Sequence, residues 1–309
     1  MGRLGIKINA AGGFFVVKLV NALKGLMVMR KGIVMEGGAM RGMFTCGVLD
    51  VLMENDISFD GAVGVSAGAT FGCNLKSHQI GRAVRYNKKY CKDKRYHSIR
   101  SLLFTGDIYN VPFCYDELPY KLDKWDIKAF EESPMEFYCV ATDINTGKPV
   151  YHKCIDGQKE DITWIQASAS MPLVSRPVQI DGGLYLDGGP SDSIPLKFME
   201  DKGYNRILVI ETQPGDYIKG PQKFMPLVRL MLKKYPEMIH CMEIRHLMYN
   251  QEKRYIREKE KDKEVLVIRP KAPLNISPVE SNPDELERVY QLGREAGLEK
   301  LKELSEFFS

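Results

Sequence analysis

An α/β fold, a mostly parallel sheet covered by helices, is what this 309-residue sequence predicts. Two observations carry that expectation. The order strand, tight turn, helix occurs twice between Lys31 and Ser77. A short β-branched run further on, "RILVIET", then reads as another buried strand. Composition agrees: 44% hydrophobic and 27% charged residues suit a globular chain with a sizeable core.

In chain order, "GGFFVVKLVNALKGLMVM" (Gly12 to Met29) is apolar but carries Lys18 and Lys24. It is short for a membrane span, and neither a cleavage site nor a myristoylation pattern accompanies it. Residues 1–29 are therefore expected to be an extension or a helix. That helix would pack on the protein or lie on a membrane surface, and a start at Met27 or Met29 is a further reading. Ile33 to Met35 form a buried strand that stops at glycines. Phe44, Val48, Leu49 and Leu52 then recur at helical spacing. "FDGAVGVSAG" predicts a second strand, and "AGATFGCNLKS" a helix.

From 77 to 133 the chain is polar and aromatic, with one helix candidate (Ile80 to Tyr90) and otherwise loop-like sequence. A hairpin follows around Asn145-Thr146-Gly147, then a helix stopped by Pro172, then two short strands in "VQIDGGLYLDGG". "SIPLKFMEDKG" reads as a helix ended by Gly203, ahead of "RILVIET". The remainder is mostly helical. Pro236 opens a long helix, "EVLVIRP" is a strand, and the chain ends in a helix. The expected organisation is a core at 30–212, with the region at about 77–133 inserted in it, and a helical part at 213–309 packed on that core.

Net charge is only +4, which suggests no nucleic-acid partner. The seven cysteines form no C-x-x-C pair, which favours buried thiols in a reducing, cytoplasmic setting over a disulfide framework or zinc site. Lys76 to Ser101 holds nine Lys and Arg against one Asp, a local charge of +8, so the remainder sums to −4. The stretch is read either as a peripheral contact with anionic membrane or as a solvated face paired with acids elsewhere.

The chemistry centres on "GVSAG". G-x-S-x-G between a strand and a helix is a nucleophile-elbow pattern. Gly64 and Gly68 keep side chains away from a turn that lifts Ser66 above the sheet edge, next to the positive end of a helix. The bland alternative is an ordinary βα turn. A serine needs a base, and none of His78, His97, His152, His240 and His246 lies in a turn that returns a histidine to the sheet edge. Asp187, followed by Gly188 and Gly189, ends a strand and is the better candidate, its basicity raised by burial. Asp181 repeats the tripeptide but fits a turn. "EGGAMRG" (Glu36 to Gly42) offers Gly37, Gly38, Ala39, Arg41 and Gly42 as an anion-binding loop and lacks the Walker A pattern.

Together "GIVMEGGAMRG", "GVSAG" and "YLDGG" resemble the patatin-like phospholipase family, with a tail of the sort associated with bacterial members. The resemblance spans Lys31 to Thr212. It implies a three-layer α/β/α fold and a Ser66–Asp187 dyad with Gly37, Gly38, Ala39 and Arg41 around the oxyanion. It also implies hydrolysis of lipid acyl esters without metal or cofactor. Esterase, thioesterase and weakly catalytic lipid- or partner-binding readings stay open. One departure is Ala39, where the family commonly has glycine; its methyl group fits if φ is negative.

Overall fold

The computed structural model describes residues 29–309. The expectations for residues 1–28 lie outside the described residues. Eight strands form one sheet: β1 (Lys31–Met35), β2 (Gly61–Val65), β3 (Glu136–Asp143), β4 (Pro149–Cys154), β5 (Val178–Ile180), β6 (Gly183–Asp187), β7 (Arg206–Ile210) and β8 (Val265–Ile268). Their order is β5-β6-β3-β2-β1-β7-β8, with β4 also on β3. The five strands from β3 to β8 are mutually parallel, and β4, β5 and β6 pair antiparallel.

The central parallel strands are largely apolar because both faces are covered. Ile33 and Met35 point into one cluster, with Phe44, Phe71 and Ile165. Val34, between them, points into the other, with Met199, Tyr249 and Ile256. The architecture is thus three layers. Helices α1 (Gly42–Glu54), α2 (Ala67–Lys76), α3 (Arg82–Tyr90) and α6 (Lys159–Ala169) belong to the first side, as does the C-terminal α10 (Pro283–Phe308). Helices α7 (Leu196–Asp201) and α9 (Pro236–Lys261) cover the second. The backbones of α1 and α10 nearly touch: a Cβ on Gly47 would lie 2.1 Å from the Tyr290 carbonyl oxygen, and one on Gly293 2.0 Å from that of Phe44.

Register places the ends of two strands face to face. β4 and β6 both pair with Ala141 and so occupy opposite edges of β3. β6 therefore shares the edge used by β2, which ends where Val65 meets Val140. β6 runs the other way and ends where Asp187 meets Ala141. The residue after β2 and the last residue of β6 thus converge.

The region from 91 to 133, expected as loops, is instead largely helical. It contains α4 (Ile99–Thr105), a π-helical segment at Phe113–Leu122 and α5 (Ile127–Glu132). These helices are short, so periodicity does not reveal them. Side-chain caps hold two of them: Ser98 Oγ accepts from Ser101 N and Asp126 Oδ1 from Ala129 N. One further helix, α8 (Met225–Met231), has no counterpart in the sequence reading.

The basic stretch proves mostly committed. Lys76 and Arg82 are buried, the lysine donating to the Ser133 and Met135 carbonyls. Arg85 pairs with Asp123, Lys88 with Glu287 and Arg95 with Asp93. Among the described residues Lys89, Lys92, Lys94 and Arg100 have no carboxylate partner and remain exposed. All seven cysteines are free. No helix of the described residues is long and apolar enough to cross a membrane.

Candidate active site

Ser66 sits between β2 and α2 with φ 55° and ψ −120°, a conformation that costs a non-glycine residue about 1–3 kcal/mol. The turn is tight because its neighbours allow no side chain. A Cβ on Gly64 would come within 2.4 Å of the Gly68 carbonyl, and one on Gly68 within 2.3 Å of the Met35 oxygen. The Ser66 amide donates to Ser168 Oγ at 3.0 Å, and its side chain caps no helix amide, which leaves Oγ free.

Asp187 is 4% exposed. Its Oδ1 accepts from Gly189 N at 2.8 Å, and the Ser66 hydroxyl is near enough to act on the carboxylate electrostatically. Its amide donates to the Ser170 carbonyl, and its own carbonyl accepts from Thr142 Oγ1. Burial pushes the carboxyl above the ordinary aspartate range. The Ser66 hydroxyl, the positive charge of Arg245 and the Gly189 amide pull in the opposite direction without cancelling it. A carboxylate made more basic and lying beside a hydroxyl is suited to take its proton.

The glycine loop crosses beside this pair. Gly37, Gly38, Ala39 and Arg41 line a polar cavity of about 280 Å³ together with Ser66 and Asp187. The amides of Gly37 and Gly38 reach no protein acceptor among the described residues. Gly42 does not line the cavity; it starts α1, where a Cβ would meet the Phe71 ring at 2.8 Å. Glu36, just before the loop, is buried and accepts from Thr212 N at 2.5 Å and Tyr249 Oη at 2.8 Å, tying the loop to β7 and α9. Burial, then the nearby Glu211, raises its pKa.

Ala39 departs from expectation. Its φ is +49°, so the negative φ that would suit its methyl group is not adopted. The left-handed region costs an alanine about 1–2 kcal/mol, and glycine carries its own unfolded-state entropy cost. Ala39→Gly is therefore expected to stabilise the protein by about 0.5–1 kcal/mol in urea unfolding. A loss of that size would show that the methyl contact outweighs the strain.

A second, apolar cavity of about 110 Å³ also borders Ser66, lined by Phe71, Tyr86, Trp125, Ile162 and Met171 among others. Asp187 lines only the polar one. No histidine lines either. His152 instead bonds Asp161 at 2.8 Å and stacks on Trp164. His152, Cys154 and Asp161 lie close enough to share a metal ion, but Asp161 Oδ2 already accepts from the amides of Ile155, Asp156 and Gly157. That is the bonding of a loop anchor.

Sequence reasoning missed Lys219, Arg245 and Tyr249 at this site, and the structural position of Glu36. One signal was available: Arg245 stands between Met242 and Tyr249, at helical spacing along a stripe that is otherwise apolar.

Three comparisons bear on this geometry. The family model described as "Patatin-like phospholipase" matches residues 33–199, and a "Domain of unknown function (DUF6363)" matches 235–309. The chain is 28% identical over 279 residues to the "Uncharacterized protein YjjU" of Escherichia coli, covering 87% of this chain and 76% of that one. It is 25% identical over 192 residues to "Lysophospholipase NTE1" of Scheffersomyces stipitis, covering 60% of this chain but only 12% of that relative. Among solved structures, VipD from Legionella pneumophila aligns over 89% of this chain and 67% of its own, at 12% identity and a TM-score of 0.44.

Proposed function

The chain belongs to the patatin-like phospholipase family, and from that premise we propose that it is a serine hydrolase of lipid acyl esters, working through Ser66 and Asp187. The observation that carries the reading is a strained serine and a buried aspartate lining one cavity, with no histidine lining the cavities beside them. Asp187 takes the proton as Ser66 Oγ attacks the acyl carbonyl. The Gly37 and Gly38 amides and the positive end of α2 hold the oxyanion. Protonated Asp187 then passes its proton to the leaving alcohol. A water deprotonated by Asp187 attacks the acyl-enzyme, the Ser66 ester bond breaks, and the proton returns to Oγ as the fatty acid departs.

The apolar cavity favours long acyl chains over small esters, because burying each methylene contributes about 0.8 kcal/mol. Release of free fatty acid from a long-chain lysophospholipid, followed by mass spectrometry, tests the reading. Wild-type protein should release it faster than it cleaves the matching acetyl ester. A preparation that cleaves neither would end the proposal.

Membrane contact belongs to the same reading. On α4, Ile99, Leu103 and Phe104 are each more than 70% exposed, beside Arg100. The segment after α4 is tied to the cavity wall by Ile108 N donating to the Val174 carbonyl, and Val174 lines the polar cavity. A double Leu103→Asp, Phe104→Asp variant should co-sediment with anionic vesicles at least several-fold less than wild type. Equal sedimentation would remove α4 from the contact.

A further inference from the structure

The polar cavity has a cationic wall that the proposed dyad chemistry does not use. Lys219, Arg245 and Arg41 all line it. None of the three has a carboxylate within 4.0 Å among the described residues. Arg41 Nε is buried with no hydrogen-bond partner. Arg245 Nε donates only to the Gly189 carbonyl, at 3.0 Å. Lys219 Nζ lies 4.9 Å from the centre of the Tyr249 ring. Its backbone is fixed from both sides by Asn250 of α9, at 2.8 and 3.0 Å.

The carboxylates nearby offset this wall only in part, Asp187 beside Arg245 being itself raised by burial. Glu36 is occupied by Thr212 N and Tyr249 Oη. Glu252, pushed well up by burial and by Asp192, is held toward its neutral form. The Lys219 ammonium accordingly falls to about 8, through burial and then the charges of Arg245 and Arg41. Three cations gathered in a half-enclosed cavity repel one another, and an anion among them relieves that repulsion.

The side of the site matters. Protonated Asp187 must hand its proton to the departing oxygen, so the leaving group lies on the side that Asp187 lines. That is the polar cavity; the hydrocarbon chain has the apolar one.

We propose that Lys219 and Arg245, with Arg41, form a subsite for the phosphate of the leaving group. This rests on the hydrolase reading for which side the leaving group occupies. Lys219 and Arg245 both lie outside the stretch matched by the family model, so the tail from 213 onward supplies the head-group recognition. Guanidinium forks suit phosphate oxygens, and of the two carboxylates lining the cavity Glu36 is already bonded and Asp187 is the proposed base.

The test is calorimetric binding of sn-glycerol 3-phosphate, inorganic phosphate and glycerol to the full chain at pH 7. Glycerol 3-phosphate should bind, glycerol should not, and inorganic phosphate should bind more weakly. Lys219→Met and Arg245→Met should each weaken glycerol 3-phosphate binding at least tenfold, while Lys219→Arg restores most of it in a protein of unchanged circular dichroism. Equal affinity in the methionine variants, or no binding by wild type, overturns the subsite. Inorganic phosphate binding as tightly as glycerol 3-phosphate overturns the head-group assignment. Labelling of Ser66 by a fluorophosphonate reads the hydrolase proposal separately. Lys219-dependent glycerol phosphate binding without such labelling supports the subsite and removes the hydrolase.

Discussion

Replacing Asp187 with asparagine is expected to lower kcat/KM for a long-chain acyl ester by about 10²–10⁴-fold, the range for losing a positioned general base. Ser66→Ala should cost at least about 10⁴-fold, since no acyl-enzyme can form without Oγ. The two losses should not add in the double variant, because base and nucleophile act in one step. The asparagine variant should stay folded, since it removes a buried charge and keeps the shape. The wild-type pH profile follows from the same residue. Asp187 accepts a proton only as the carboxylate, and burial holds its pKa above the usual aspartate value. As pH falls through that raised pKa, activity is lost, so the acidic limb should lie above the ordinary carboxylate range. An acidic limb at the ordinary aspartate value, with Asp187→Asn still active, would place the base elsewhere.

The second large effect concerns stability. Lys253 of α9 is 1% exposed and donates to Glu211 Oε2 at 2.6 Å and to the Pro214 carbonyl at 3.2 Å. Glu211, at 0% exposure, follows β7 and also accepts from Arg269 Nε at 2.7 Å. Glu211 Oε1 has no partner among the described residues, so the carboxylate depends on these two cations. Removing one partner of a buried pair costs about 3–5 kcal/mol, because the remaining charge stays desolvated. Arg269 remains in Lys253→Met, which puts the expected loss near the lower end, about 3 kcal/mol in urea unfolding. A change below about 1 kcal/mol would mean that Arg269 alone satisfies Glu211. The pair also positions α9, which brings Arg245 and Tyr249 to the site, so Lys253→Met should weaken glycerol 3-phosphate binding as well.

Much of the geometry around Ser66 is legible in the sequence because it is local. Apolar runs that stop at glycines mark β1 and β2, and a serine framed by Gly64 and Gly68 has few conformations open to it. Asp187 stands out by the two glycines after it, and the register of β3 explains how it meets Ser66. What was not legible depends on packing between distant parts. Lys219 and Arg245 matter only because α9 lies across the cavity. The φ of Ala39 depends on how its loop turns into α1, which no local pattern reports. The helices between 91 and 133 escape notice because caps and tertiary contacts hold them.

The central claim is that an aspartate alone activates Ser66. Peptide mass spectrometry after reaction with a fluorophosphonate tests it most directly. One adduct is expected in wild type, on Ser66. Labelling should slow strongly in Asp187→Asn and stay undiminished when His97, His152 and His246 are each replaced by glutamine. An adduct on another serine, or labelling that needs one of those histidines and ignores Asp187, would contradict it.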